Sequence, residues 1–302
     1  TAPSHPVEKS PAQTAQTAGE PAKTAAFSTK LESAVEVPLP EAPPALAPAP
    51  ELPAGEPEVP WVIRGELFHT YVVVEQGETA LLIDLGTNGE IALVHEGRLL
   101  CCSTAAGPAF EGSSIRCGGV STEGAVDHVS VENGAITFTT IGGGPAQCIC
   151  GSGLIDLLAC LLAEEIVDET GAMEEGPYRL TDEVALYQED VRQLQLAKGA
   201  IRAGMETLLR RAGLTAGQVD ALYVAGGFGT VLDLENAAAI GLIPAELVAR
   251  THVLGNAALT GALLELLGPA GREEPILTNA QCLNLSECKE FTDLFLEAML
   301  FD

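Results

Sequence analysis

The chain from about Trp61 onward alternates short apolar runs with glycine-rich breaks, and the apolar period switches between that of a strand and that of a helix. Three consecutive apolar runs predict three antiparallel strands, over residues 80–85, 90–96 and 98–105. The pairs Asn88-Gly89 and Glu96-Gly97 lie between these runs and are typical of tight turns. A further hairpin is predicted over 125–141. This alternation predicts an α/β domain.

Helical periodicity appears in two longer segments. One helix is predicted over 152–167, with Ser152 able to cap it, and a long one over roughly 188–211. Two units of strand, glycine turn and helix then follow, the first ending in a short helix over 236–242 and the second spanning 251–267.

The first 58 residues have a different composition. They hold most of the prolines, no cysteine and a single aromatic residue, Phe27. Such a segment cannot bury enough apolar area to offset its chain entropy, so residues 1–58 are predicted to be a disordered Pro/Ala-rich linker before a folded domain over 59–302. Because the chain begins with Thr1, we expect a processed chain or a piece of a longer polypeptide.

Charge excludes several classes of function. The 302 residues include 15 basic and 42 acidic side chains, giving a net charge of -27 and a pI near 4.3, which argues against nucleic acid and anionic membranes as partners. No apolar run approaches the roughly 20 residues that span a bilayer. The eight cysteines lie mostly in apolar segments of a large domain, so reduced thiols and a cytoplasmic location are expected. The five histidines show no metal-ligand spacing.

Three predicted strands end in glycine turns, at 84–89, 225–229 and 255–256. Ligands of open α/β folds lie where strands end, because helix N-termini and bare amides gather there. We therefore expect the three turns to converge on one ligand.

The first turn, "DLGTNG", combines a carboxylate with bare backbone. Gly86 and Gly89 let N–H groups approach phosphate oxygens, Thr87 and Asn88 add side-chain donors, and Asp84 can hold a hydrated Mg²⁺. The alternative is an ordinary hairpin in which Asp84 caps its own turn.

The other two turns have structural alternatives as well. Gly226, Gly227 and Gly229 lack the spacing of a dinucleotide fingerprint and could instead let an adenine slide against the backbone, or simply form a tight turn with Phe228 plugging the core. Gly255-Asn256 opens a helix, where small residues permit either a hinge or plain core packing.

Taken together, these motifs resemble a known family. The series "LLIDLGTNGEI", "CSTAAGPAFEG", "CICGSGLIDLL", "LQLAKGAIRAG", "LYVAGGFG", "IGLIP", "GNAALTGA" and "FTDLFLEAMLF" is similar to the C-terminal region of ATP-dependent reductive activators of corrinoid proteins. Those proteins belong to the superfamily of acetate and sugar kinases, heat-shock chaperone ATPases and actin. The resemblance covers residues 79–302 and implies an actin-like ATPase (ribonuclease H-like) lobe, with a mixed sheet and flanking helices.

The resemblance also implies site residues and cofactors. Asp84 would bind Mg²⁺ or orient the attacking water as the catalytic residue, and Gly86, Thr87, Asn88 and Gly89 would cradle the phosphates of ATP. Gly226, Gly227 and Gly229 would face the nucleoside, and Gly255 and Asn256 would begin the second connecting helix. Family members use ATP to drive reduction of Co(II) to Co(I) on a partner corrinoid methyl-transfer protein, with the electron coming from an N-terminal iron–sulfur domain.

The sequence departs from the family pattern in two ways. It contains no second Asp-x-Gly-Thr turn and no ferredoxin-type cysteine spacing, since Cys148 and Cys150 are only two thiols. The iron–sulfur cluster and the first lobe are therefore expected outside this chain, and the activity is expected to be incomplete within it. Alternatives are a corrinoid-protein-binding module without hydrolysis and a small-molecule kinase of the same superfamily; a homodimer is one option for its assembly.

Three smaller features carry weaker expectations. Cys150 is the thiol closest to a predicted helix N-terminus, although inert packing is the favoured interpretation for all eight cysteines. Lys198 and Arg202 lie one helical turn apart, and a solvated face paired with Glu206 is favoured over phosphate contact. Glu111 is expected either to meet a substrate or partner or to cap a helix.

Overall fold

The structure is a computed structural model that describes residues 60–65, 68–74, 77–267 and 280–301. The linker predicted over 1–58 lies outside these residues. All of the described residues belong to one compact unit, 55–302.

The described chain contains thirteen strands and five α-helices. The strands are β1 (Pro60–Gly65), β2 (Phe68–Val73), β3 (Ala80–Leu85), β4 (Gly89–His95), β5 (Arg98–Thr104), β6 (Ala125–Glu132), β7 (Ala135–Thr140), β8 (Cys148–Ile149), β9 (Tyr178–Arg179), β10 (Ala185–Leu186), β11 (Ala221–Ala225), β12 (Thr251–Gly255) and β13 (Ala280–Cys282). The helices are α1 (Gly151–Ala163), α2 (Gln188–Ala212), α3 (Leu234–Ala239), α4 (Ala257–Leu267) and α5 (Lys289–Ala298).

A six-stranded mixed sheet forms the centre, in the order β12-β11-β3-β4-β5-β13. β3, β4 and β5 are antiparallel neighbours, as the tight turns predicted. β11 pairs in parallel with both β3 and β12, and β13 pairs in parallel with β5. The predicted α/β class with a mixed sheet is confirmed. Since β3, β11 and β12 run in the same direction, their C-terminal ends lie at one edge of the sheet.

The two faces of this sheet are covered differently. Alternate residues such as Leu81, Ile83 and Ile91 point into the larger core, which also includes apolar side chains of α1 and α2. The opposite face carries a smaller cluster that includes Leu82, Leu99 and Ala257, the first residue of α4. The period-2 alternation therefore assigns every residue of β3 to one face or the other.

A three-stranded sheet, in the order β7-β6-β8, adjoins α1. Its hairpin turns at Asn133-Gly134, as predicted. α1 approaches β6 so closely that a Cβ on Gly153 would lie 2.3 Å from the Val126 carbonyl oxygen. A Cβ on Gly151 would lie 2.1 Å from the Phe110 carbonyl oxygen. The glycines of "CGSG" are therefore required for packing.

The predicted cap of α1 is wrong. The N-cap residue is Cys150, whose side chain makes no capping bond, while Ser152 lies inside the first turn and donates a hydrogen bond from Oγ to the Asp127 carbonyl at 2.8 Å. The helix also ends at Ala163, four residues early, because Glu165 adopts a left-handed φ of 56°.

The short helix α3 begins two residues earlier than predicted. The Asp233 side chain caps it by accepting a hydrogen bond from the Asn236 N–H at 2.9 Å. It ends before Gly241, whose φ of 74° breaks the helix.

Lys198 is not on a solvated face, contrary to the expectation. Its side chain is 1% exposed, donates to the Leu300 carbonyl and lies 4.7 Å from the centre of the Phe301 ring. Arg202 does pair with Glu206, at 3.2 Å. The inward-facing lysine fastens the C-terminal residues to α2, which α5 also contacts.

No helix within the described part of the chain is both long enough and apolar enough to cross a membrane.

The close approach of α1 to β6 generates a stability prediction. Gly153→Ala places a methyl group against backbone atoms of Val126 that cannot move alone, so we expect a loss of about 1–3 kcal/mol in the free energy of unfolding, measured by urea denaturation.

Gly199→Ala on α2 is the matched control. Its new Cβ would approach the flexible Met299 side chain at 3.1 Å and backbone atoms of Ala298 and Met299 at an ordinary contact distance of 3.4 Å, and alanine favours the helix. Equal losses in the two variants would contradict a backbone clash specific to Gly153.

Candidate functional site

Three glycine-containing bends meet at the sheet edge where β3, β11 and β12 end. The first bend is 84–89, the second 225–229 and the third 255–256. Ala225, the last residue of β11, is paired on one side with Asp84 and on the other with Gly255. The strand register therefore places the ends of the three strands side by side, as the sequence predicted.

Direct contacts join the bends. The Gly226 N–H donates to the Gly255 carbonyl at 2.8 Å, which ties the second bend to the third. A Cβ on Gly226 would lie 3.0 Å from Asp84 Oδ1 and 2.6 Å from the Leu85 carbonyl oxygen, so the second bend also touches the first. With its φ of 98°, Gly226 can be replaced by no other residue without strain.

The first bend is held from the side by the segment after β5. The Gly107 N–H donates to the Thr87 carbonyl at 2.8 Å, and the Thr87 hydroxyl donates to Glu111 Oε1 at 2.5 Å. Glu111 lies in a 3-10 turn over Ala109–Glu111 and its carboxylate is bound to this bend rather than to a helix end. Gly86, Thr87 and Asn88 remain exposed to solvent.

Two carboxylates stand next to each other at this edge. Asp84 is 9% exposed and is paired across the β3–β4 register with Glu90, whose Oε1 accepts a hydrogen bond from Ser103 Oγ at 3.1 Å. Burial raises the pKa of Glu90 to about 7; the hydrogen bond from Ser103 opposes this shift, and the charge of Asp84 adds to it. The sheet edge thus brings two carboxyl groups together, and the Glu90 carboxyl keeps its proton to a higher pH than a free glutamate does.

The glycines of the bends fall into two groups. Gly89 and Gly229 are buried, and a Cβ would lie 2.7 Å from Thr104 Oγ1 at the former and 2.9 Å from Val224 Cγ1 at the latter. Packing alone therefore requires glycine at both positions. Gly86 and Gly227 are exposed; a Cβ would meet nothing within 4 Å at Gly227, and only a backbone oxygen at 3.5 Å at Gly86. These two have room for a ligand.

The third bend leads directly into a helix. Asn256 Oδ1 accepts a hydrogen bond from the Leu259 N–H at 2.9 Å, so the exposed Asn256 caps the start of α4. The first turn of α4 thereby points its positive dipole end toward the bends.

An aromatic stack supports the second bend from behind. The Phe228 ring lies 5.6 Å from the Phe110 ring, centre to centre, and against Gly151 at the start of α1. Phe228 therefore plugs the core, as one interpretation of the sequence held, and it connects the second bend to the segment that carries Glu111.

None of the residues in the three bends is lysine or arginine. The segment 103–111, which holds the first bend, also lacks both. Asp84, Glu90 and Glu111 would repel a phosphate group unless a bound cation compensated them. Backbone N–H groups and a cation are therefore the positive groups that these segments can offer an anionic ligand.

The donor set fits magnesium bound together with phosphates. Mg²⁺ keeps several waters and uses one or two carboxylates plus phosphate oxygens. Asp84 and Glu90 could supply the carboxylates. Among the described residues no group of three or more His, Cys, Asp or Glu side chains is arranged to hold a metal ion without such help.

Sequence reasoning missed Glu90 and Ser103. The available signal was the two-residue alternation along β4 and β5, which puts both on the same face as Asp84 once the hairpin register is known. Inert packing was the favoured interpretation of Cys150, and the structure agrees with it. The Cys150 thiol is buried and donates to the Val126 carbonyl at 3.3 Å, so it is packed away from solvent.

Comparison with known proteins identifies relatives that act on corrinoid proteins. The chain is 36% identical over 228 residues to the corrinoid activation enzyme RamQ of Eubacterium limosum, a match that covers 66% of this chain and 38% of the relative. It is 28% identical over 191 residues to a [Co(II) methylated amine-specific corrinoid protein] reductase of Methanosarcina barkeri, covering 56% of this chain and 35% of that protein. The matches thus span less than half the length of these relatives.

A solved structure agrees with these matches. The reductive activator for a corrinoid, iron–sulfur protein superposes with a TM-score of 0.66 at 35% identity, over 74% of this chain and 40% of the other. Residues 78–302 match the family described as the C-terminal domain of RACo, the ASKHA domain. This confirms the predicted actin-like ATPase fold, which acetate and sugar kinases, chaperone ATPases and actin share. The chain belongs to the RACo C-terminal ASKHA-domain family.

Proposed function

We propose that this chain is the ATP-binding domain of a reductive activator that drives the reduction of a corrinoid protein from Co(II) to Co(I). The observation that carries the proposal is the meeting of three bends at one sheet edge, joined by the hydrogen bond from Gly226 to Gly255 and by the contact of Gly226 with Asp84. Relatives that match 66% and 56% of the chain are named as a corrinoid activation enzyme and a corrinoid protein reductase.

Different bends would contact different parts of the nucleotide. Thr87 and Asn88 present backbone N–H groups to the phosphates, and Asn88 adds its side-chain amide, because the Thr87 hydroxyl is bonded to Glu111 and the Gly86 N–H to the Asn88 carbonyl. The exposed Gly227 leaves space for the nucleoside, while the tightly packed Gly226 shapes the backbone beside it. The dipole of α4, which begins after Asn256, adds a favourable field for anions. Gly89 and Gly229 contribute the backbone shape rather than open surface.

Charge supports magnesium as the companion of the nucleotide. A triphosphate beside Asp84, Glu90 and Glu111 is repelled, and neither the bends nor 103–111 contain a lysine or arginine to offset the repulsion. Asp84 would hold magnesium, whose positive charge would offset the repulsion between these carboxylates and the phosphates. Asp84 would also orient water toward the γ-phosphate; ATP supplies the free energy for the reduction.

The remaining parts of the activator would lie outside these 302 residues. The matches cover 38% and 35% of the two curated relatives, and the nucleotide cleft of this superfamily lies between two lobes. We propose that the first lobe and an iron–sulfur electron donor come from other sequence, and that a cytoplasmic corrinoid methyl-transfer protein is the partner. The net charge of -27 disfavours nucleic acid and anionic membranes. A homodimer is compatible with this scheme.

Asp84→Asn tests the magnesium role. We expect the affinity for Mg-ATP, measured by calorimetry, to fall by about tenfold or more, because the amide cannot replace the carboxylate charge on the metal. Binding of ATP in EDTA should not weaken, because without the metal the Asp84 carboxylate only repels the phosphates.

Asp293→Asn, an exposed position on α5, is the matched control and should bind as the parent does. Equal Mg-ATP affinity in parent and Asp84→Asn would contradict the proposal. Corrinoid-protein binding without any nucleotide affinity would favour a binding module, and phosphorylation of a small hydroxyl or carboxylate compound would favour a kinase.

Glu90→Gln tests the electrostatics of the edge without nucleotide or metal. The pKa of Glu90 is raised to about 7 from 4.5, so the folded state holds a proton that the unfolded state releases. Stability should therefore decrease as the pH rises from about 4.5 to 7, and remain lower above that range.

Gln keeps the acceptor for Ser103 but does not titrate. We expect Tm to fall less between pH 5 and pH 8 in Glu90→Gln than in the parent. The difference should be roughly 2–4 °C, which corresponds to about 1 kcal/mol of unfolding free energy in a domain of this size. Identical pH profiles in the two proteins would show that Glu90 is not protonated in the folded state.

A further inference from the structure

Two cysteines lie side by side on neighbouring strands at the far side of the central sheet. In the parallel pairing of β5 with β13, Cys101 is the partner of Cys282. In-register residues on adjacent strands project to the same face, and their Cα atoms lie about 4.8 Å apart. A disulfide needs Cα atoms within about 4.4–6.8 Å, so this register satisfies its main geometric requirement.

The two thiols already contact each other. A hydrogen bond between the Cys101 and Cys282 thiols contributes to raising the pKa of Cys101, after burial and the charge of Cys282. Cys101 Sγ also lies 3.7 Å from the Gln281 carbonyl oxygen, to which it donates. Cys282 is exposed and Cys101 is half-buried, so a small solute can reach the pair from the Cys282 side.

The neighbouring cysteines differ in access. Cys102 faces the larger core and is buried, and its thiol lies 4.0 Å from the Gly204 carbonyl oxygen. Cys288 is buried as the N-cap residue of α5, and Arg211 Nη2 lies 3.7 Å from its sulfur. Of these four cysteines, only Cys101 and Cys282 combine strand register, thiol contact and access to solvent.

We propose that Cys101 and Cys282 form an oxidisable dithiol that closes to a disulfide between β5 and β13. This site is separate from the nucleotide bends and its chemistry does not depend on the proposed function. β13 is the last strand of the described sheet and leads through the turn at Leu285–Glu287 into α5. The disulfide would therefore fasten this C-terminal segment to the sheet.

The proposed oxidant is hydrogen peroxide. The exposed Cys282 sulfur, as thiolate, attacks one oxygen of hydrogen peroxide; the O–O bond breaks, Cys282 becomes a sulfenic acid, and the leaving hydroxide takes up the thiol proton as water. The Cys101 sulfur then attacks the Cys282 sulfur, the S–O bond breaks, and the second hydroxide leaves as water with the Cys101 proton. Two thiols lose two electrons and one peroxide becomes two waters.

Peptide mapping under non-reducing conditions tests this assignment. Trypsin releases Cys101 with Cys102 in peptide 99–116, and Cys282 with Cys288 in peptide 273–289, so a cross-linked mass alone does not identify the pair. We expect the chain treated with hydrogen peroxide to show these two peptides joined. Cys101→Ser and Cys282→Ser should lose the joined peptides, whereas Cys102→Ala and Cys288→Ala should retain them.

Thermal unfolding gives a second measurement. The peroxide-treated parent should melt at a higher temperature than the reduced parent, because the cross-link constrains the unfolded chain, and reduction should reverse the shift. Cys282→Ser should show no such shift. Joined peptides that persist in Cys282→Ser, or oxidation of Cys282 that stops at a sulfenic acid without a cross-link, would overturn the proposal.

Discussion

The parallel pairing of β11 with β3 on one side and β12 on the other is the constraint on which the site depends. It places Ala225 between Asp84 and Gly255, so three bends that are distant in the sequence end at one edge of the sheet. Parallel strands need long connections between them, and here α1 and α2 supply the connection from β5 toward β11 while covering one face of the sheet. The larger core thus stabilises the same pairing that assembles the site.

Close backbone contacts add a second constraint. Gly226 fits between the third bend and Asp84 because it lacks a Cβ and adopts a φ of 98°, and Gly153 lets α1 approach β6. Gly89 and Gly229 serve packing in the same way, even though they occur in motifs that look like ligand loops. Glycine therefore occurs in these motifs for two reasons: close packing at buried positions and open backbone at exposed ones. Only the exposed positions, such as Gly227, are compatible with direct ligand contact.

The sequence was sufficient for the strands around the first bend, because Asn88-Gly89 and Glu96-Gly97 are strong local turn signals. It was insufficient where long-range packing decides. Ser152 resembled a cap, but β6 offers its hydroxyl the Asp127 carbonyl, and Lys198 resembled a surface residue, but Leu300 and Phe301 enclose it. Glu90 was missed because its position beside Asp84 depends on hairpin register. Such contacts join residues that only the folded chain brings together.

Amide hydrogen exchange in the presence of a magnesium nucleotide tests the central claim most directly. If the bends surround one ligand, amides at 86–89, 226–229 and 255–256 should all exchange more slowly, and the three regions should reach half of their protection at the same nucleotide concentration. Protection confined to a single bend, or half-protection at different concentrations in different bends, would contradict a shared nucleotide site.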